Sequence, residues 1–452
     1  MNNGKPVPFG QNQPKFGMIL PIVLLSYALI LIDNSIVATS ATAISQGLHM
    51  GPVALSWVTN AYTITFGSLL LFAGRVGDFI GRKRIFLVGL LIFGLSSLAV
   101  GLSVNATQII TARAIQGIGA AIIAPNSLAI LLDNYQGEQR SKAIAYYGIT
   151  AAVGSSVGLL VGGFFSTLIG WEAGFLINVP YALTLLVMSG YYVVGKRPVG
   201  QGKLDGVGAL LSILTAGSFV YGVVEREALV FVLSLVLLVI FLFHENRKSN
   251  PLMPLVLFKS RIRSGSYLGR FIFMMFMMSY WFLLPQLLYK LLGFTPLQAG
   301  LTFLTLTLAQ TVAAFGQGKL PMGYQAKINL GQGLMLIGSL LTLIGLPNVH
   351  NFIGTVEVPM ILIGLGAGCL LAPLTYAGVQ GIAPDLSGAA SGVTNTMHQL
   401  GGPFGIALIV MMTSAITNVK TLYFMIMAGL IIYTAVGFLS GLLIRFSGHQ
   451  EG

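Results

Sequence analysis

The sequence predicts an all-α polytopic membrane protein, and three observations carry that prediction. Of the 452 residues, 55% are hydrophobic, and the mean hydropathy is +0.86. Only 8% are charged, against about 25% in soluble domains, which leaves too little charge to cover a water-facing surface. Apolar runs of about 20 residues, enough for a helix to cross a hydrocarbon core of about 30 Å, recur along the whole chain.

Fourteen such runs are predicted as spans, at about 17–41, 53–74, 84–103, 107–130, 142–165, 171–194, 205–223, 228–244, 264–289, 297–317, 327–346, 353–377, 388–414 and 421–445. The first follows a polar segment containing Pro and Gly. It is too long for a signal-peptide core and has no clear cleavage site, so it is read as a retained span. An even number of spans places both termini on one side. With that side cytoplasmic, all but five of the 24 Lys and Arg residues lie in cytoplasmic segments. The exceptions are Arg226, Lys290 and Lys420 outside, and Arg113 and Arg270 within spans. The opposite orientation would invert the positive-inside rule.

The same distribution explains the net charge of +12. The cations sit in short clusters between apolar runs and predict topology, not nucleic-acid binding. The single cysteine, Cys369, excludes a disulfide within the chain and a thiolate metal site. No G-x-x-x-x-G-K-[ST] loop is present, so transport has to run on an ion gradient or on substrate alone, with no cofactor. The chain reads as a transporter and not an enzyme.

The two longest cytoplasmic connections, 195–206 and 244–263, bracket spans 7 and 8. They divide the chain into a six-helix bundle (1–195), a linker with two extra spans (196–250) and a second six-helix bundle (251–452). GRVGDFIGRK after span 2 and GKLPMGYQAK after span 10 align as a weak repeat, with Met322 at the position of Asp78. Internal duplication of this kind is a transporter signature.

GRVGDFIGRKRIF (74–86) resembles motif A of the major facilitator superfamily, with Gly74, Asp78, Gly81, Arg82 and Lys83 in place. TARAIQGIGAA (111–121) resembles motif B through Arg113, Gln116, Gly117 and Gly119. GSSVGLLVGG (154–163) resembles the antiporter motif C through Gly154, Gly158, Gly162 and Gly163. LIDNSIVATSATAI (31–44), GWEAGFLINVP (170–180), GLGAGCLLAPLTYAG (364–378) and SGVTNTMHQLGGPFGIAL (391–408) resemble further stretches of the fourteen-span drug:proton antiporters, the group that includes QacA-type pumps. The resemblance covers essentially the whole chain. It implies the major facilitator fold and a multi-pass protein of a bacterial plasma membrane. It also implies a monomer that exports lipophilic, often cationic drugs in exchange for H⁺, with Asp78 and Arg82 in a cytoplasmic charge cluster that latches the outward-open state.

The sequence departs from these patterns at several points. Leu159 stands where motif C has proline, which removes an expected helix kink. Ala38 and Thr42 replace Asn and Pro in the first span, and Glu172 and Ala173 replace Arg and Trp. Leu159 keeps a nutrient symporter or uniporter open as an alternative, and a non-transporting receptor is a further one.

An acid inside a span marks an ion or substrate path. Counting 1.5 Å per residue puts Asp33 roughly 24 Å and Arg113 roughly 21 Å from the cytoplasmic side, so the two are predicted to share a polar pocket. Asp33, Arg113, His398 and Glu357 are the candidates for proton coupling. Asp33, Glu357, Trp57, Asn60, Tyr62, Tyr280, Trp281 and Gln286 are the candidates for a central substrate cavity, with Met274, Met275, Met277 and Met278 as adaptable walls. Asn178, Pro180 and the motif C glycines read as packing devices.

Overall fold

The computed structural model describes residues 16–195, 204–345, 352–382 and 386–444. Each predicted span falls on helix among the described residues. The helices are α1 (Ile19–Gly47), α2 (Pro52–Ile80), α3 (Arg82–Gly101), α4 (Ala106–Asn134), α5 (Gly137–Leu168), α6 (Trp171–Leu176), α7 (Asn178–Tyr192), α8 (Gly206–Val224), α9 (Ala228–Arg247), α10 (Arg261–Leu292), α11 (Pro296–Gly316), α12 (Tyr324–Gly345), α13 (Val358–Val379), α14 (Ser387–Thr413) and α15 (Val419–Leu443). Among the described residues, 13 helices are long and apolar enough to cross a membrane. The predicted sixth span is broken into α6 and α7, with Pro180 in the first turn of α7, where its missing N–H costs no helical bond.

Local sequence fixes where the helices start. Asn105, Asp205 and Asn418 accept hydrogen bonds from the first-turn amides of α4, α8 and α15. Thr295 and Gln298 form a reciprocal capping box at α11, and Pro52 opens α2. Several helices run past their apolar runs, α1 to Gly47, α2 to Ile80 and α4 to Asn134.

α1 packs along α5 and crosses α4, while α2 and α3 pack on α4, and α3 on α7. In the second half α10 packs on α14 and α15, α12 on α13 and α15, and α11 on α13. The two groups meet along α2–α14 and α5–α11, and α8 and α9 lean on each other beside α2 and α14. α9 turns most of its Leu, Val, Ile and Phe side chains outward, as a lipid-facing helix must.

The glycines of α5 let backbones touch. A Cβ on Gly158 would lie 2.6 Å from the Ile32 carbonyl and 2.7 Å from its Cα, and one on Gly162 would lie 2.7 Å from the Ile36 Cα. Gly154 faces Ala28 and Leu31 of α1. Gly163 points the other way, toward Pro296 and Leu297 of α11. Leu159 is buried, and α5 continues unbroken through it.

The α8–α9 pair is pinned at one end by Asp205. Its Oδ1 accepts from the Gly208 amide at 3.1 Å and from His244 Nε2 at 2.9 Å, with Lys248 Nζ at 3.6 Å. Burial alone would raise this carboxyl. The His244 hydrogen bond, the Gly208 amide and the His244 and Lys248 charges outweigh burial and hold the carboxyl below its ordinary value. A depressed acid stabilises the folded state fully above its unfolded pKa of about 3.9 and loses that contribution as pH falls through the folded pKa. Asp205→Asn is therefore expected to melt below wild type at neutral pH, with the gap closing as pH drops below about 4. Thermal unfolding of the purified protein across pH checks this.

Candidate functional site: a buried ion pair on α1 and α4

Asp33 and Arg113 are both fully buried. Arg113 Nη1 donates to Asp33 Oδ2 at 2.5 Å and to Gln116 Oε1 at 2.6 Å, and Nε donates to the Val58 carbonyl at 3.1 Å. The guanidinium lies over the Tyr62 ring, 4.1 Å from its centroid. Asp33 Oδ1 accepts from Gln116 Nε2 at 2.8 Å and from Asn178 Nδ2 at 2.9 Å. Gln116 also donates to Ser97 Oγ at 2.7 Å. One carboxylate thus ties α1 to α4 and α7, and the network reaches α2 and α3.

The i, i+3 spacing of Arg113 and Gln116 puts both on one face of α4, and Gly117 beside them lets α2 approach until a Cβ there would strike Tyr62 and Thr65. This approach sets the Val58 carbonyl and the Tyr62 ring against Arg113. Charges this deep are tolerated because each has several hydrogen-bonding partners. Both oxygens of Asp33 accept from protein groups, Oδ2 from Arg113 and Oδ1 from Gln116 and Asn178. Asn178, read as a packing residue, is a direct partner of the acid, and Ser97 carried no signal beyond being a hydroxyl in an apolar run.

The motif A residues gather where α2, α3 and α4 end. Gly81 joins α2 to α3 with φ +109°, which suits only glycine. Asp78 Oδ1 accepts from Arg82 Nε at 3.0 Å and Nη2 at 2.9 Å, and Arg82 Nη1 reaches Asp133 Oδ1 at 2.6 Å. Lys83 donates to the Gly190 carbonyl at 2.8 Å. Gly74 faces Pro125 of α4. Arg75 reaches furthest, to the Asn250 carbonyl at 2.9 Å and the Pro251 carbonyl at 2.5 Å, beyond α9.

The residues predicted to line one cavity make varied contacts among the described residues. Trp57 faces α8, where its indole N–H donates to Glu225 Oε1 at 3.3 Å. Tyr62 faces Arg113 instead, because five residues along a helix turn the side chain by about 140°. Asn60 is fully buried, with neither side-chain polar atom hydrogen-bonded among the described residues. Tyr280 packs between Phe276 and Phe303, within the second half. Trp281 is half-buried, and its indole nitrogen has no described partner. Gln286 donates to the Phe282 carbonyl at 2.7 Å and lines a small cavity of about 50 Å³ with Lys290. The Met274 and Met278 side chains meet Gly401 and Gly402 of α14, and the backbone of Met275 meets Gly405. Glu357 precedes α13, with Oε2 unpartnered among the described residues. His398 stacks on Phe273 and is not among the hydrogen-bond partners of Asp33.

Two helix groups, glycine-mediated contacts and a buried acid–base pair define a polytopic transport protein. The Major Facilitator Superfamily profile matches residues 23–406, and the chain belongs to that family. It is 33% identical over 404 residues to the puromycin resistance protein of Streptomyces alboniger, covering 86% of this chain and 80% of the relative. It is 32% identical over 419 residues to the cephamycin export protein of Amycolatopsis lactamdurans, covering 88% of this chain and 85% of the relative. The fold resembles that of a solved peptide transporter in complex with sulfate, with a TM-score of 0.72 at 14% identity, over 96% of this chain and 97% of that one.

Proposed function

We propose that this protein is a proton-driven exporter of lipophilic drugs in the plasma membrane of a bacterium. It works as fourteen spans arranged six, two and six, with α14 as the remaining span and both termini cytoplasmic. The relatives named for antibiotic resistance and export support the substrate class. The observation that carries the coupling is the buried Asp33–Arg113 pair. A proton arriving at Asp33 cancels its charge. The carboxyl then holds Arg113 and the two amides less tightly, and the α1–α4–α7 junction loosens. Substrate release and closure follow, and proton loss to the cytoplasm restores the pair. The proton acts by differential stability of two arrangements, as any coupled ligand must. Glu357 and His398 take no part in this step, and no cofactor is needed.

Cells expressing the protein are expected to expel a panel of lipophilic dyes, and an uncoupler should stop the efflux. Dye retention unaffected by expression would sink the reading. The motif A cluster sets how readily the cytoplasmic side opens. Arg82→Gln removes the cation shared by Asp78 and Asp133. Because the groups are partly exposed, this is expected to cost about 1 kcal/mol or less in stability. A shift of about 1 kcal/mol between inward- and outward-open states still changes their ratio about fivefold. Efflux rates of Arg82→Gln and wild type at matched expression check it.

A further inference from the structure

We infer that Arg270 and its neighbours form a subsite for the carboxylate of an aromatic, amphiphilic substrate; this rests on the exporter reading and adds a charge class to it. Arg270 lies in α10, about 13 Å from the Arg261 end, and is 6% exposed. Its Nη1 donates to Thr375 Oγ1 at 3.0 Å and to the Leu371 carbonyl at 3.4 Å on α13. A guanidinium has five N–H groups. Those on Nε and Nη2 meet no acceptor among the described residues. That edge is the planar fork that matches a carboxylate in two parallel hydrogen bonds.

Among the described residues no carboxylate pairs with Arg270, whereas the comparably buried Arg113 has Asp33. A buried guanidinium without a counter-charge is costly. A transported anion supplies the missing charge.

The surroundings fit a flat apolar body attached to that anion. Tyr27 of α1 stacks on Tyr147 of α5 with centroids 4.1 Å apart, and His398 of α14 lies nearly parallel to Phe273 of α10 at 6.0 Å. α10, which carries Arg270, packs against both α1 and α14, the helices of Tyr27 and His398. His398 Nδ1 is buried and has no hydrogen-bond partner among the described residues. Tyr27 and His398 lie about 12 and 16 Å from the starts of their helices, close to the depth of Arg270. The groups come from both halves of the chain, at the seam that alternating access has to open and close.

The test uses two dyes with one skeleton, fluorescein (a carboxylate) and rhodamine 123 (a cationic methyl ester). Binding to the purified full-length protein in nanodiscs is followed by fluorescence anisotropy. Wild type is expected to bind fluorescein, with benzoate displacing it and benzylammonium not. Arg270→Gln should weaken fluorescein about 30-fold or more and leave rhodamine 123 essentially unchanged. Arg270→Lys should restore only part, since it lacks the planar fork. Fluorescein affinity unmoved by Arg270→Gln overturns the subsite. If Arg270→Gln fails to fold, the wild-type competition decides: fluorescein that benzoate does not displace also overturns it. Rhodamine 123 transport without fluorescein binding sinks the subsite and keeps the exporter. Fluorescein binding with transport of neither dye keeps the subsite and sinks the exporter.

Discussion

Asp33→Asn is expected to leave a protein that still binds drug but no longer accumulates it against a gradient, with drug-driven proton movement at the background of empty liposomes. The change removes the carboxylate that pairs with Arg113 in the buried network. It also leaves a fully buried guanidinium without its counter-charge, which costs about 3–5 kcal/mol. Lower yield of the single variant is therefore expected. The double variant Asp33→Asn/Arg113→Gln separates the two effects. It removes both charges, so its stability should recover much of that loss while coupling stays absent. A double variant as unstable as the single one would mean that the pair is not the source of the penalty.

Gly158→Ala is the second large effect. A methyl group there meets the Ile32 carbonyl and Cα and the Ser35 Cβ at 2.6–2.7 Å, and the first two are backbone atoms that no rotamer change can move. α1 and α5 must separate, and α1 carries Asp33 next to Ile32. The expected result is loss of energised export together with a lower melting temperature, because overpacking of this kind costs about 1–3 kcal/mol. Gly148→Ala on the same helix has no neighbour within 4 Å and should be close to wild type. Melting temperature and dye efflux of the two variants, measured side by side, check the contrast.

The helices were legible because an apolar run of bilayer length leaves the backbone one way to satisfy its hydrogen bonds. The Asp33–Arg113 pair was legible because rise per residue converts position in a span into depth. What depth cannot supply is the facing of each helix. α2 buries side chains on several sides, so apolar periodicity does not say that Trp57 turns to α8 while Tyr62 turns to α4. The broken span at Ile177 moved Asn178 from a packing residue to a ligand of Asp33, and nothing local to the sequence signals that aim. Arg270 was visible as a cation in an apolar run, but that it lacks an acid partner among the described residues is visible only once the helices are packed.

The most direct measurement is lumenal pH, reported by trapped pyranine, in proteoliposomes with an acidic interior when rhodamine 123 is added outside. This dye is a permanent cation and carries no proton by itself. Wild type should take up the dye and alkalinise the lumen, and Asp33→Asn should do neither. Dye accumulation by wild type with no change in lumenal pH, or full coupling in Asp33→Asn, would contradict proton exchange through the buried pair.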